Sequence, residues 1–228
     1  QIECARTIYS ADVDLLTLIN DILHHSKIES GMMSVSPNEV RLTEIGEFVD
    51  RTFRQTAEQK GLEFNVELDE NLPPSIYTDD TRLQQVLKNL LSNAFKFTEK
   101  GSVHLNVSTA MSGWTRGHAV LDHASSVIAF AVKDTGIGIP EEKRSIIFEA
   151  FQQADAGTTR KYGGTGLGLA ISREIARLLG GEIRVESDTD EGSTFTLYLP
   201  QTYTAAAVEE NGSEQGRPGQ RELALARD

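Results

Sequence analysis

A cluster of glycines in the last third of the chain has the composition of a phosphate site. The stretch KYGGTGLGLAIS, residues 161–172, places glycine at positions 163, 164, 166 and 168 directly before an apolar helical pattern. Glycine lets the backbone approach a ligand closely, and a helix N-terminus offers unpaired N–H groups and a partial positive charge that suit a phosphate. Neither GxxxxGKS, GxxxxGKT nor GxGxxG occurs at this cluster, which excludes two common phosphate loops. A nucleotide is the first hypothesis, and a flexible loop before a helix is the alternative from this stretch alone.

Two asparagines on a predicted helix could contribute to a metal site. Asn89 and Asn93 are four residues apart and therefore share one helix face, and Lys96 follows about one turn later. An amide oxygen can be one ligand of an octahedral Mg²⁺ whose other positions go to water and phosphate oxygens. Lys96 could balance phosphate charge. Half-exposed polar positions with no ligand are the alternative.

A carboxylate ends a predicted strand in the run VKDTGIGIP, where Asp134 precedes Gly136 and Gly138. A carboxylate accepts hydrogen bonds from an exocyclic amine, and glycines let the backbone close over a flat ring. An Asx turn explains the DTG spelling equally well on local grounds. What favours a nucleotide site is the order of the whole set: helix asparagines, strand-end aspartate, long connection and glycine-rich helix.

Composition limits the class of protein. The 228 residues are 39% hydrophobic and 25% charged, with 22 Lys and Arg against 34 Asp and Glu. This acidic balance argues against nonspecific binding of nucleic acids or anionic membranes. The single cysteine, Cys4, excludes an internal disulfide and a cysteine zinc cluster. The chain has neither a spanning apolar run nor a leader pattern. We therefore expect a cytoplasmic segment, and its start without methionine suggests a fragment whose parent can be anchored upstream.

The elements that must position these residues alternate between helices and strands. A wide apolar stripe over residues 1–33 predicts a helix that packs in a bundle, and a helix packed on its own domain is the alternative. Further helices are predicted over 43–60, ended by Gly61, over 79–97 with an acidic cap, and after the glycine cluster. Strands are predicted over 62–69, 102–110, 126–134, 181–187 and 193–200, with a turn at Pro73 and Pro74 and a long connection over 140–162.

These elements predict an α+β sandwich in which helices cover a mixed or antiparallel sheet. The stretch GWTRGHAVLDHA, residues 113–124, is interpreted as a polar surface insertion. After Pro200 the composition predicts a linker or disordered tail. The expected domains are a bundle helix over 1–35, a nucleotide-binding domain over 36–200 and the tail over 201–228.

In order and spelling, these segments resemble the ATP-binding catalytic domain of sensor histidine kinases. The matching motifs are an N-box LKNLLSNAFKFT (87–98), a G1-box DTGIGIP (134–140), an F-box FEAF (148–151), a G2-box GGTGLGLAIS (163–172) and a final GSTF (192–195). LINDILHHSKIESG (18–31) resembles the second helix of the dimerisation and phosphotransfer hairpin that precedes this domain. The resemblance spans residues 1–200 and implies a Bergerat-type sandwich, shared with gyrase and chaperone ATPases.

The resemblance also implies a role for each site residue in a hybrid-type kinase that uses Mg-ATP. Asn93 would hold Mg²⁺ with Asn89 assisting, Lys96 would meet the phosphates, and Asp134 would read the adenine amine. The other residues that it places at the nucleotide are Phe97, Gly136, Gly138, Arg160, Lys161, Gly164, Thr165, Gly166, Leu167, Gly168 and Thr194. Arg160 would reach the γ-phosphate, and Phe148 and Phe151 would anchor the lid.

One departure from the family pattern concerns the phosphoacceptor. No SHExRTP-type helix occurs in the sequence, and His24 and His25 lie in the second-helix motif, where we do not expect an acceptor. The implied partners are a second copy through the N-terminal helix, a phosphoacceptor hairpin and a response-regulator receiver domain; no nucleic acid and no membrane contact are expected for this segment. Two alternatives remain, a stand-alone ATPase and a catalytically silent interaction module. Asn89 occupies the place of the ATPase glutamate base, and intact Asn93 and Asp134 count against the silent module.

Overall fold

Three α-helices, three short 3-10 helices and seven strands span the described residues from position 33 onward, in agreement with the predicted α+β class. The computed structural model describes residues 19, 23, 26, 30, 33–150 and 166–204. The α-helices are α1 (Leu42–Lys60), α2 (Asp80–Phe97) and α3 (Gly168–Leu178). The strands are β1 (Asn38–Arg41), β2 (Glu63–Leu68), β3 (Ser75–Thr78), β4 (Ser102–Ala110), β5 (Val127–Asp134), β6 (Glu182–Asp188) and β7 (Gly192–Pro200). The helix predicted over 1–33 lies almost entirely outside the described residues.

Five strands form the main sheet, in the order β2-β4-β5-β7-β6. β2 runs parallel to β4, and the other neighbours are antiparallel. Side chains alternate between the two faces of a strand, and along β7 the residues Phe195, Leu197 and Leu199 are buried in the main core. The sheet is therefore mixed, as predicted, with one face given to the core.

The three helices cover that face. α2 packs between α1 and α3 and also contacts β5, while α3 packs on β6 and β7. The α2 residues buried in the core recur with helical spacing and are Leu83, Val86, Leu87, Leu90, Leu91, Ala94 and Phe95. Burial of this apolar face stabilises the sandwich. It also fixes which side of α2 remains for polar residues. No helix among the described residues is long and apolar enough to cross a membrane.

Helix ends follow the predicted signals. The Asp79 side chain caps α2 by accepting the N–H of Arg82 at 3.0 Å, and its other oxygen accepts the N–H of Ser36 at 2.9 Å. α1 ends at Gly61, which adopts a left-handed φ of 65°. The predicted start of α1 at Thr43 is one residue late, since the helix begins at Leu42.

A small second sheet was not predicted. β1 pairs antiparallel with β3, and the opposite edge of β3 binds the segment that follows β7. The N–H of Tyr77 donates to the carbonyl of Gln201 at 2.8 Å, and the N–H of Tyr203 donates to the carbonyl of Tyr77 at 2.9 Å. The first residues of the predicted tail therefore belong to the folded domain. Strands of four residues are too short to show periodicity, and their partners are distant in sequence.

The insertion between β4 and β5 is more than a polar surface loop. Val120 and Leu121 are buried, and the ring of Trp114 packs edge-on against Tyr198 with centroids 5.7 Å apart. Thr115 binds the carboxylate of Glu182 through both its N–H and its hydroxyl. The insertion therefore folds back over the face of the sheet that the helices leave uncovered.

Candidate functional site

Asp134 provides a buried acceptor at the end of β5. It lies opposite Ser193 of β7, only 5% of it is exposed, and its Oδ1 accepts the N–H of Gly136 at 2.8 Å. Burial raises the pKa of the Asp134 carboxyl, and the backbone donors of Gly136 and Ser193 oppose that shift. Among the described residues, the site thus contains a desolvated carboxylate that the backbone groups of Gly136 and Ser193 support.

The two glycines after Asp134 are required by close packing. A Cβ at Gly136 would lie 2.5 Å from the carbonyl oxygen of Phe97, at the end of α2. Gly138 has a φ of +66°, and a Cβ there would lie 1.9 Å from the carbonyl oxygen of Asp188. The loop over 136–139 therefore lies between α2 and the β6–β7 turn, with no space for side chains at either glycine.

The predicted polar face of α2 is present. Asn89, Asn93 and Lys96 are each half-buried, as is Phe97. Asn89 Nδ2 donates to Ser172 Oγ on α3 at 2.8 Å, and the Lys96 ammonium lies over the Phe97 ring, 5.0 Å from its centroid. Asn89 therefore joins α2 to α3.

The start of α3 lies directly against this face. Gly166 has a φ of +69°, Leu167 is buried, and Gly168 is the first helical residue. A Cβ at Gly168 would lie 2.4 Å from Asn89 Oδ1, so any larger residue there would displace the Asn89 side chain. The first turn of α3, with its unpaired N–H groups, is thereby placed beside the α2 asparagines.

These contacts bring two sequence-distant segments, the loop after β5 and the start of α3, against α2. The β5 loop meets α2 at Phe97, and the glycine-rich start of α3 meets it at Asn89. Eight residues separate these points, or about 12 Å along a helix axis at about 1.5 Å per residue. The loop of a buried hydrogen-bond acceptor and a helix N-terminus thus both lie against α2, at separate points along its axis.

Thr194 and its neighbour Ser193 lie on opposite faces of β7. Thr194 lies opposite Lys133, whereas Ser193 lies opposite Asp134, and neighbouring residues in a strand project from opposite faces. Ser193 is therefore the β7 hydroxyl on the Asp134 side, and Thr194 at the nucleotide stays a prediction. Counting back by twos from buried Phe195 would have identified Ser193 from the sequence.

Sequence reasoning also missed two serines. Ser172 is almost fully buried and accepts the Asn89 amide. Ser187 is buried on β6 and accepts the N–H of Ile139 at 2.8 Å, which links the β5 loop to the β6–β7 hairpin. Only the family spelling AIS marked the position of Ser172, and no motif marked Ser187.

Several predicted residues lie outside the described part of the chain. They are Arg160, Lys161, Gly164, Thr165, Phe151, His24 and His25. Phe148, the other predicted lid anchor, is buried and packs edge-on against Phe195 with centroids 6.3 Å apart. Arg173 of α3 lies over the Phe148 ring at 5.7 Å. The described start of the 140–162 connection is therefore attached to the core.

The protein groups alone do not form a metal site in the described ranges. Within them, no group of three or more His, Cys, Asp or Glu side chains could hold a metal ion. The donor chemistry on the polar face of α2 is that of neutral amide oxygens. Such a set fits a Mg²⁺ ion that takes most of its ligands from phosphate oxygens and water.

A protein-family model matches residues 78–203 of this chain. Its description is "Histidine kinase-, DNA gyrase B-, and HSP90-like ATPase". The matched range starts just before α2 and ends at the residues that pair with β3. It contains all of the site segments described above.

Two curated relatives are histidine kinases. Hybrid signal transduction histidine kinase B of Dictyostelium discoideum is 38% identical over 186 residues, which are 82% of this chain and 9% of that protein. Circadian input-output histidine kinase CikA of Synechococcus elongatus is 37% identical over 220 residues, 96% of this chain and 27% of that protein. The chain therefore spans about a quarter or less of the length of these relatives.

Two solved structures share the fold. Full-length ShkA in complex with AMPPNP matches with a TM-score of 0.71 and 30% identity, over 91% of this chain and 40% of that one. Histidine kinase ThkA in complex with response regulator protein TrrA matches with a TM-score of 0.62 and 25% identity, over 86% of this chain and 50% of that one.

Proposed function

The chain belongs to the histidine kinase-, DNA gyrase B-, and HSP90-like ATPase family, and from that premise we propose that it is the ATP-binding, phosphoryl-donating part of a hybrid sensor histidine kinase. The observation that carries the proposal is that the Asp134 loop and the start of α3 both contact α2, at Phe97 and at Asn89. The names of the relatives support the kinase branch of the family. The reaction would move the γ-phosphate of Mg-ATP to a histidine.

The adenine would bind at Asp134. Its carboxylate accepts a hydrogen bond from the exocyclic amine of adenine, whereas guanine presents a carbonyl oxygen at the same ring position. Two acceptors facing each other repel, so a buried carboxylate selects ATP over GTP. Gly136 and Gly138 would border the base, and Phe97 would lie beside it. The AMPPNP complex of ShkA supports a nucleotide at a site of this fold.

The phosphates would bind at the start of α3. Gly166, Leu167 and Gly168 open that helix, and its first N–H groups and dipole favour negative charge. Lys96 would supply a charge-assisted contact from α2. The family resemblance adds Arg160, Lys161, Gly164 and Thr165 to this group.

Asn93 would hold Mg²⁺, with Asn89 next to it. The Asn89 nitrogen is engaged by Ser172, which leaves its Oδ1 directed toward Gly168. When bound, the ion neutralises charge on the phosphates. Transfer of a phosphoryl group requires mainly positioning and charge neutralisation. The residues of this chain would therefore orient the triphosphate and exclude water from it.

The acceptor would be a histidine nitrogen on a phosphoacceptor hairpin. No SHExRTP-type segment occurs within the 228 residues. Residues 1–35 would form the second helix of that hairpin and dimerise, 36–200 would form the catalytic domain, and 201–228 a linker, with the first residues after 200 held by β3. A receiver domain would take the phosphoryl group onward. The complex of ThkA with TrrA supports this class of partner.

A stand-alone ATPase is the second candidate. That branch of the family needs a general base for water at the position of Asn89, and here the amide of Asn89 donates to Ser172. Loss of a general base costs roughly 10²- to 10⁴-fold in rate. A histidine kinase is therefore favoured over a stand-alone ATPase.

Phosphotransfer in trans tests the proposal. Radiolabelled Mg-ATP is incubated with the 228-residue chain alone and with an acceptor hairpin from a related kinase, and acid-labile label is followed on each. We expect label on the hairpin only, and none with the matched variant Asn93→Ala. A chain that binds no ATP would refute the proposal. Label on the chain alone that disappears in a His24→Gln, His25→Gln double variant would make its own helix the acceptor.

A further inference from the structure

We propose that Ser187 is a positioning residue for the end of the site at which the adenine would bind. The Ser187 hydroxyl holds the 136–139 loop in place relative to Asp134. This inference rests on the function proposed above. Ser187 lies on β6, and only 7% of it is exposed. It is 48 residues from Ile139 in sequence, yet their side-chain oxygen and backbone nitrogen are 2.8 Å apart. It would act on the nucleotide through the loop.

The Ser187 hydroxyl uses its full hydrogen-bonding capacity. It accepts the N–H of Ile139 and donates to the carbonyl of Gly192, each at 2.8 Å. The hydroxyl of Ser193 lies 2.9 Å away. A hydroxyl has one donor and two acceptor positions, so its donation to Gly192 makes Ser193 the donor in their contact. Ser187 therefore also orients the hydroxyl that lies on the Asp134 side of β7.

The loop is held at both ends. Its first N–H, from Gly136, donates to the Asp134 carboxylate at 2.8 Å, and its last, from Ile139, donates to Ser187. Only two residues lie between these two attachments, and such a short segment transmits a shift at one end to the other. Loss of the Ser187 attachment therefore moves the backbone that borders Asp134.

Other contacts keep the loop near the hairpin when the Ser187 hydroxyl is removed. The N–H of Asp190 donates to the carbonyl of Ile137 at 2.9 Å. Arg144 donates through Nε to the carbonyl of Ile139 at 3.3 Å and through Nη2 to Asp188 at 3.0 Å. These contacts do not involve Ser187. A variant without the Ser187 hydroxyl should therefore fold, with the loop shifted but still attached to the β6–β7 hairpin.

Nucleotide selectivity of a Ser187→Ala variant tests the inference. Calorimetry of the full chain with Mg-ATP and Mg-GTP should show ATP binding weakened about tenfold, the equivalent of one lost hydrogen bond. GTP affinity should change less than twofold because GTP does not use the Asp134 contact. Thr196→Ala removes a hydroxyl from the outer face of the same hairpin and should leave both affinities unchanged.

Two outcomes separate this inference from the proposed function. Wild-type protein that does not prefer ATP over GTP would overturn the function itself. Wild-type preference that persists within twofold in Ser187→Ala would overturn only the positioning role. Hydrogen exchange gives a second measurement that needs no variant: the Ile139 amide should be protected about 100-fold or more in the wild-type chain. An unprotected Ile139 amide would overturn the role even if Ser187→Ala fails to fold.

Discussion

Two aspartates on either side of β5 each accept a glycine N–H, yet their pKa values shift in opposite directions. Asp122, in the insertion before β5, is exposed and accepts hydrogen bonds from the Trp114 indole and the Gly117 N–H. Those two donors lower the pKa of Asp122. Asp134, at the end of β5, is buried, and desolvation raises its pKa despite the Gly136 N–H.

The difference separates a structural carboxylate from a site carboxylate. Asp122 is solvated, and its protein donors come from the loop that it holds together. Asp134 remains desolvated and accepts backbone donors in the described part of the chain, so an additional donor from a ligand would be favourable there. Acceptor chemistry is therefore the same in the two residues, and burial decides which one suits ligand binding.

Substitution of the two aspartates should change ATP affinity very differently, and this is the largest effect that we expect. Asp134→Asn replaces an acceptor with an amide that presents both donor and acceptor, and should weaken ATP binding on the order of 10- to 100-fold, as for a lost hydrogen bond to a charged group. Asp122→Asn should leave ATP affinity within twofold. Calorimetry with ATP and GTP measures both. If Asp134→Asn left the preference for ATP over GTP unchanged, the proposal that Asp134 binds the adenine would be wrong.

The glycines whose N–H groups bind the two aspartates, Gly136 and Gly117, should differ in their effect on stability when each is replaced by alanine. Gly136→Ala places a Cβ 2.5 Å from the Phe97 carbonyl, and such overpacking costs roughly 1–3 kcal/mol. Gly117 has a φ of +82° with open space around it, so alanine there adds conformational strain of about 1 kcal/mol. Urea unfolding should rank Gly136→Ala as the more destabilising change, and only that variant should also weaken ATP binding. Equal loss of ATP binding in both variants would contradict the distinction.

The smallest effect is the pH dependence of stability without nucleotide. A raised pKa for Asp134 means that its contribution to stability is full below its ordinary value of 3.8 and is lost as pH rises through the raised folded value. The ionised carboxylate therefore destabilises the fold at neutral pH, and Asp134→Asn should raise Tm at pH 7, a gain that disappears in acid.

Asp122 should show the opposite sign. Its lowered pKa gives stability that is present above its ordinary value of 3.8 and lost as pH falls through the folded value. Asp122→Asn should therefore lower Tm at pH 7, and the loss should disappear in acid. Thermal unfolding from pH 3 to 8 measures both variants. Shifts of the same sign would refute the contrast between the two carboxylates.

Local patterns predicted the larger elements of the fold because each carries its own signal. α2 shows apolar residues at helical spacing behind an acidic cap, and Asp79 provides that cap. β4 was predicted over its full length from strand alternation. β1 and β3 escaped prediction because four residues establish no period. The insertion was judged by its polar composition, although Leu121 and Trp114 attach it to the sheet.

The candidate site likewise contains residues that a local sequence pattern marks and residues that only long-range contacts bring together. Spelling and spacing predicted Asn89, Asn93, Asp134 and the glycines as site residues, since helix geometry places positions four apart on one face. Thr194 stays a prediction, because the choice between the adjacent hydroxyls depends on strand register, which pairs Ser193 with Asp134. Ser187 was missed because its partner Ile139 belongs to another part of the chain.

The residue types, their order and the helix faces can be predicted from the printed sequence, because those properties depend on spacing along one chain. Contacts between distant segments cannot: Gly168 lies against Asn89, Gly136 lies against Phe97, and Ser187 holds the loop beside Asp134 because the packed elements bring them together. Such contacts join residues tens of positions apart, and packing of α2 between the sheet and α3 sets them. Burial, and with it the raised pKa of Asp134, arises at this level because desolvation needs the surrounding elements in place.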